Sequence, residues 1–151
     1  MYRKILVPLD GSAMAECALS HIESILQEGA AAEVTLLNVV AIHISWTEVE
    51  RGHVNYGALQ QQILNASKNY LKEAESRLRS DRIEVRTESI PSGRPADAIA
   101  DYAKNEGMEL IVMATHGHTG FKKFMLGSVA SGVLDRSHVP VLLIRPEACI
   151  P

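Results

Sequence analysis

The stretch that most constrains this chain is Leu110–Ser128, LIVMATHGHTGFKKFMLGS, in which an apolar run leads into a glycine-rich loop. Residues Leu110–Ala114 have the length and composition of a buried strand, and a helix is expected to begin at Gly127 and Ser128. Glycines let the backbone approach an anion closely, and a helix N-terminus offers unpaired N–H groups and a positive dipole end. The stretch therefore indicates either a phosphate-binding loop or a tight turn made only for packing.

Strand-like apolar runs alternate with helix-like periodicity along the whole chain. Strands are predicted at Lys4–Leu9, Val34–Val40, Ile83–Ile90, Leu110–Ala114 and Val139–Arg145. Helices are predicted from Ala15 to Leu26, from Tyr56 to Ser80, from Pro95 to Gly107 and from Ser128 to about Ser137. This order predicts an α/β fold, a single domain over residues 1–151 with a parallel sheet and helices on both faces. Such sheets bind ligands beyond the carboxyl ends of their strands, where the strand order reverses.

Composition and charge exclude several classes of protein. The net charge of -3 counts against a nucleic-acid binder, and no apolar run approaches the ~20 residues of a membrane span. The N-terminal apolar run is broken at Pro8 and Asp10, which is too early for a signal peptide. Cys17 and Cys149 have no CxxC spacing, which favours inert thiols in a reducing compartment. We therefore expect a cytoplasmic protein with neither a nucleic-acid nor a membrane partner.

The residues Ala41–Asn55 form an irregular stretch that exceeds the usual length of a connection. It is expected to be either a lid-like functional loop, in which Trp46 would report closure, or a mobile insertion. Histidines in the glycine loop, His116 and His118, alternate without a third metal ligand nearby in sequence, so they leave the presence of a metal open.

Four segments of the chain resemble the universal stress protein A family, and together they span essentially its whole length. They are ILVPLDGS at Ile5–Ser12, LLNVV at Leu36–Val40, LGS at Leu126–Ser128 and PVLLI at Pro140–Ile144. Nucleotide-binding members of that family carry glycine, two residues, glycine, nine residues, then glycine followed by serine or threonine. Here Gly117 stands nine residues before Gly127 and Ser128, but Ala114 replaces the first glycine. The chain is therefore similar to the ATP-binding subclass, with one departure.

The resemblance implies a five-stranded sheet of order 3-2-1-4-5, the adenine nucleotide alpha hydrolase-like fold, with Asp10 facing the glycine loop across one crevice. It implies that Asp10 accepts hydrogen bonds from ribose and that Val39 lies against adenine. Gly127, Ser128 and Val129 would donate N–H groups to phosphates, and the Ser128 hydroxyl would add a donor or a metal contact. The implied nucleotide site comprises Pro8, Leu9, Asp10, Val39, Met113, Ala114, Thr115, His116, Gly117, Gly120, Gly127, Ser128 and Val129.

Four of these positions also have a purely structural interpretation. Asp10 could belong to a capped turn, Ser128 could be only a helix N-cap, His116 could be a structural hydrogen-bonding residue, and Met113 could be core. The added methyl group of Ala114 could crowd a nucleotide or merely narrow its pocket. We expect binding to be retained but weakened.

The resemblance implies a regulatory stress-response protein that binds ATP, AMP or ADP, with or without Mg²⁺. It also implies a homodimer formed through the apolar last strand, Val141, Leu142, Leu143 and Ile144. Two alternatives remain, a nucleotide-free interaction module and a slow ATPase. No GxxxxGK[ST] run is present and no catalytic residue is assigned. A phosphoacceptor receiver domain is disfavoured, because Ile90-Pro91-Ser92 stands where an acceptor aspartate is needed.

Overall fold

The structure is a computed structural model of the 151-residue chain, and it describes residues 2–26, 32–42, 47, 50–52, 55–78, 81–116, 126–145 and 147. The strands are β1 (Lys4–Pro8), β2 (Ala32–Val40), β3 (Ile83–Pro91), β4 (Leu110–Ala114) and β5 (Val141–Ile144). The helices described are α1 (Ala13–Glu16), α2 (Leu19–Ile25), α3 (Tyr56–Leu78), α4 (Pro95–Asn105) and α5 (Ser128–Arg136).

The five strands form one parallel sheet in the order β3-β2-β1-β4-β5, which confirms the predicted strand order. In the centre, Val7 of β1 is paired with Leu36 of β2, and Leu6 is paired with Ile111 of β4. The order reverses between β1 and β4, because the chain extends the sheet first on one side of β1 and then on the other. The carboxyl ends of these two central strands therefore border a crevice.

Helices cover both faces of the sheet, which explains why its central strands are apolar without alternation. On one face Val7 packs in a core cluster with Leu71 of α3. On the other face Leu6 packs with Ile99 of α4 and Val133 of α5. Strand β3, at one edge, alternates from Ile83 to Glu88 between buried or half-buried and exposed side chains, as its sequence predicts. Within the part of the chain described, no helix has the length and apolarity needed to cross a membrane.

The first helical segment is divided, although its periodicity predicts one helix from Ala15 to Leu26. Between α1 and α2, the Ala18 N–H donates to the Ala15 carbonyl at 3.2 Å, an i to i+3 bond that tightens the turn. The Ser20 hydroxyl donates to the Cys17 carbonyl at 2.9 Å and so satisfies a group that the interruption frees.

The last strand is shorter than predicted and starts at Val141 rather than Val139. The Ser137 hydroxyl accepts from the Val139 N–H at 3.0 Å and donates to its carbonyl at 2.7 Å, which holds Val139 in a turn. Pro140 has no N–H to give to the sheet.

The interpretation of both cysteines as thiols is wrong for Cys17, which is disulfide-bonded in the structure. Cys149 lies outside the described residues, as do His43, Trp46 and His53 of the long stretch after β2 and His118 of the glycine loop. The lid and insertion interpretations of Ala41–Asn55 therefore both stay predictions.

Candidate functional site

A cavity of about 260 Å³ lies at the carboxyl ends of β1, β2 and β4, beside the point where the strand order reverses. Helices α4 and α5 close it with their N-terminal turns, since Pro95 and Ser128 both line it. A volume of this size is close to the lower end of the range typical of small-molecule pockets.

Every predicted site residue that the structure describes lines this cavity. They are Pro8, Leu9, Asp10, Val39, Met113, Ala114, Thr115, His116, Gly127, Ser128 and Val129. The two remaining predicted residues, Gly117 and Gly120, lie outside the described residues. Segments far apart in sequence are thus brought to one place, but the role of each residue in binding is still a prediction.

Five further residues line the cavity and were missed in the sequence: Ala15, Leu37, Pro95, Ile99 and Ala130. A signal for two of them was present. Pro95 starts the helix that follows β3, and Ile99 lies one turn later on its buried face. Because carboxyl ends of parallel strands share one edge of the sheet, the start of this helix could have been assigned to the site.

The Asp10 carboxylate lies on the rim of the cavity and is oriented by the turn that follows it. Its Oδ1 atom accepts from the N–H of Ser12 at 2.9 Å and from the Ser12 hydroxyl at 2.5 Å. The Ser12 Oγ in turn accepts from the N–H of Ala15 at 3.0 Å and caps α1. Gly11 has φ of 86°, a backbone conformation that favours glycine. Asp10 therefore belongs to the capped turn before α1 and also places a carboxylate at the rim of the cavity.

The N-terminus of α5 also borders the cavity, since Gly127, Ser128 and Val129 line it. Gly127 is its N-cap residue, so the interpretation of Ser128 as only an N-cap is wrong. The Gly127 N–H donates to the Thr115 carbonyl at 2.8 Å. A Cβ atom on Gly127 would lie 2.9 Å from that carbonyl oxygen, too close for an ordinary contact. Glycine is needed here because the helix start approaches the end of β4 so closely.

The His116 side chain is held in the cavity wall with one nitrogen unused. Its Nδ1 is 2.9 Å from the Thr115 hydroxyl. Its Nε2 is buried and has no hydrogen-bond partner among the described residues. A buried polar atom without a partner is costly, so a ligand oxygen at Nε2 would relieve that cost.

Ala114 occupies the position at which the family signature has glycine. Its side chain is only 5% exposed and forms part of the wall, yet the cavity of about 260 Å³ remains open beside it. Met113 is 6% exposed and contributes to the core as well as to the wall, so both interpretations of this residue are compatible with the structure.

Charge is distributed unevenly around the cavity. Among its described lining residues Asp10 is the only carboxylate, and none is lysine or arginine. An anion would therefore be held by the unpaired N–H groups and dipole of α5 rather than by cationic side chains. No group of three or more metal-ligating side chains occurs within the described ranges. The cavity thus joins an acidic rim, apolar walls and an anion-attracting helix terminus.

Comparison with known proteins agrees with this architecture. The family model described as universal stress protein family matches residues 1–145. Universal stress protein MJ0577 of Methanocaldococcus jannaschii is 32% identical over an alignment of 160 positions that covers 96% of each chain. Universal stress protein YxiE of Bacillus subtilis is 34% identical, with 96% of this chain and 100% of the relative covered.

Solved structures show the same fold. That of MJ0577 superimposes with a TM-score of 0.80 at 31% identity, with 96% of each chain covered. A universal stress protein from Archaeoglobus fulgidus, solved in complex with dAMP, has a TM-score of 0.55 at 22% identity, with 95% and 98% covered. This chain belongs to the universal stress protein family.

Proposed function

We propose that the protein binds an adenine nucleotide in the cavity at the β1–β4 crevice and acts as a regulatory protein in stress response. One observation carries this function: the Asp10 carboxylate and the N-terminus of α5 line the same cavity. A carboxylate accepts hydrogen bonds from ribose hydroxyls, and a helix N-terminus attracts phosphate. An adenine nucleotide carries ribose hydroxyls and phosphate on the same sugar, so both groups could be bound in one cavity.

The walls between these two ends suit a purine base. Val39, Ile99 and Met113 supply apolar surface at the carboxyl ends of β2 and β4 and on α4. His116 Nε2 offers an unused polar atom beside α5, where phosphate would lie. The fold neighbour from Archaeoglobus fulgidus, solved with dAMP, adds support for an adenine nucleotide as the ligand class.

Isothermal titration of the purified chain with AMP, ADP and ATP, each with and without Mg²⁺, tests the proposal. We expect saturable heat at or below about 1 mM nucleotide. Gly127→Ala should weaken binding at least about tenfold, because the new Cβ forces the helix start away from Thr115. Gly93→Ala is the matched control, since a Cβ there meets nothing within 4 Å. Absence of heat with every nucleotide would refute the function.

A nucleotide-free interaction module is the second candidate, and Ala114 is the observation that favours it. The variant Ala114→Gly restores the first glycine of the family signature and so distinguishes the two candidate functions. If the cavity already accepts a nucleotide, we expect this variant to change affinity by only a few fold. Binding by Ala114→Gly together with none by the unmodified chain would instead identify Ala114 as a block and support the second candidate.

We further propose a homodimer that pairs through β5; the cytoplasmic location stays a prediction, because the Cys17 disulfide is unusual in a reducing compartment. Strand β5 is an edge of the sheet, and Leu142 on it is 40% exposed. An apolar edge strand readily pairs with a second copy. Sedimentation velocity at micromolar concentration should give a dimer, and Leu142→Lys should give a monomer. A monomer without the substitution would contradict the proposed assembly, and cell fractionation would test the location.

A further inference from the structure

Another cavity lies on the α4 side of the sheet, between the edge strand β3 and the C-terminal half of α4. It has a volume of about 590 Å³ and shares no lining residue with the candidate nucleotide site. We call it the β3–α4 groove. Its lining residues, none of them aliphatic, are Thr35, Arg86, Thr87, Glu88, Tyr102 and Glu106. A ligand in this groove would therefore be held by polar contacts.

Thr35 of β2 presents its side chain to the groove. It lies two residues before Leu37, which packs with Ile99 of α4, so both side chains are on the same face of the sheet. Thr35 is only 2% exposed, and no hydrogen bond joins its hydroxyl to any described residue. A buried hydroxyl without a partner costs free energy, which a hydrogen bond to a ligand would recover. This residue therefore indicates a polar ligand, independently of any charge.

Two carboxylates of the groove, those of Glu88 and Glu106, form no ion pair within the described part of the chain. The cation beside them, Arg86, is bound by two other carboxylates. Its Nη2 atom lies 3.2 Å from Glu33 and 3.0 Å from Glu84, and its Nε donates to Glu84 at 3.2 Å. Because Arg86 is already compensated there, the Glu88 and Glu106 carboxylates remain available to a ligand.

Lys4, at the start of β1, is a second cation near this end of α4. Its ammonium donates to the main-chain carbonyl of Glu106 at 3.2 Å and lies 4.0 Å from the Glu33 carboxylate. No ion pair joins it to the Glu106 carboxylate in the described structure. The groove and the ion pairs that border it thus contain Lys4 and Arg86 as cations against twice as many carboxylates, so an excess of negative charge remains.

The electrostatic environment of Tyr102 agrees with this excess. Burial raises the pKa of Tyr102, and the carboxylates of Glu88 and Glu106 raise it further. The guanidinium of Arg86 lowers it, but this is the smallest of the effects. Tyr102 therefore stays a neutral hydroxyl, and its oxygen can accept a hydrogen bond from a cation.

We propose that the β3–α4 groove binds the ammonium groups of a small linear polyamine. An ammonium has three N–H donors and no acceptor, and the groove offers carboxylate and hydroxyl oxygens, which accept. Glu106 is the C-cap residue of α4, and a helix C-terminus favours positive charge. Two unpaired carboxylates suit a ligand with more than one charge. The inference does not depend on nucleotide binding, because the two sites have no residue in common.

Two other kinds of cationic ligand fit the groove less well. A protein segment usually anchors itself by apolar side chains, and no aliphatic residue lines the groove. A metal ion needs more ligands of its own kind, and the described residues contain no group of three or more histidine, cysteine, aspartate or glutamate side chains that could hold one.

Amide NMR spectra of the full chain, recorded during titration with spermidine at low ionic strength, test the proposal. We expect saturable shifts centred on Thr35, Glu88 and Tyr102, with a Kd at or below about 1 mM. 1,8-Octanediol is the matched ligand, an uncharged chain of similar length, and it should cause no such shifts. Shifts spread evenly over all acidic surfaces, or none at all, would overturn the proposal.

Three variants distinguish a built site from general attraction to an acidic protein. Glu88→Gln should weaken spermidine binding about two- to fivefold. Asp101→Asn is the matched control, because it removes the same charge from exposed surface of α4 outside the groove and should change the affinity little. Thr35→Val should also weaken binding, yet leave the free energy of unfolding unchanged or raise it, because the hydroxyl has no partner to lose. Equal effects of Glu88→Gln and Asp101→Asn, or full affinity in Thr35→Val, would contradict the site.

Discussion

The close contact between α4 and α5 gives the sharpest test of how the candidate site is built. Gly132 of α5 faces Ala96 of α4, and a Cβ atom on Gly132 would lie 2.7 Å from the Ala96 Cβ and 3.2 Å from Arg136 Nη1. Carbon atoms in favourable contact are separated by about 3.5–4.0 Å. In Gly132→Ala the two helices must therefore separate by roughly 1 Å at this point, because backbone-anchored Cβ atoms cannot rotate away.

Two opposing effects determine how much Gly132→Ala changes the free energy of unfolding. Overpacking a well-packed contact costs about 1–3 kcal/mol, whereas alanine is favoured over glycine inside a helix by about 1 kcal/mol. We expect a net loss of about 1 kcal/mol in the free energy of unfolding, which corresponds to a decrease in Tm of about 2–4 °C for a chain of this size. Because Pro95 and Ser128 line the cavity on these same helices, nucleotide affinity should fall as well.

Urea unfolding of five chains measures this effect: the unmodified chain, Gly132→Ala, Ala96→Gly, the two substitutions together, and Gly57→Ala. The second substitution at Ala96 restores space, so the pair should be coupled by about 1 kcal/mol or more in a double-mutant cycle. Gly57 lies in α3, and a Cβ there meets only Asn55 Oδ1 at an ordinary 3.6 Å. Gly57→Ala should therefore stabilise the protein. Gly132→Ala that stabilises as much as Gly57→Ala would refute the reasoning.

Three further outcomes are expected. Ile99→Ala removes a side chain that is 3% exposed and lies between core and cavity, so urea unfolding should show a loss of about 2–5 kcal/mol. The Arg3 N–H donates to the Glu109 carboxylate and lowers its pKa, so stability is lost as pH falls through that lowered pKa. Glu109→Gln should flatten acid unfolding curves, and identical curves would exclude this contribution. Thiol titration of the unfolded chain should find Cys17 unreactive before reduction and reactive after it.

The sequence predicted the fold best where a single physical requirement, such as burial on both faces of the sheet, decides which residues occur. Burial on both faces demands continuous apolar residues, and β1 and β4 could be recognised from that pattern alone. Strand β3 is half exposed, so its alternation placed it near an edge. The cavity residues on β1, β4 and α5 were predicted from the resemblance to the family, including the spacing of Gly117 from Gly127, and the rule that ligands bind beyond carboxyl ends agrees with that prediction.

Features that depend on individual hydrogen bonds or on contacts between distant segments could not be predicted. Periodicity does not show that the helix after β1 is interrupted at Cys17, since the interruption depends on local hydrogen bonds. The packing of α3 on the sheet brings Tyr70 and Asp10 to the lining of one cavity, of about 360 Å³, although they are sixty residues apart in sequence. The nearness of Gly132 to Ala96 likewise depends on how two helices cross, and no local pattern encodes it.

The hydrogen bond from the Gly127 N–H to the Thr115 carbonyl, 2.8 Å long, has an evolutionary consequence. It fastens the end of β4 to the start of α5, while the Thr115 N–H donates to the Ile144 carbonyl at 2.9 Å and fastens that end to the sheet. Every loop inserted between residues 115 and 127 therefore departs and returns at two fixed points. Since lengthening a loop costs little entropy, a change in the length of that segment in descendants of this chain should leave these two points in place.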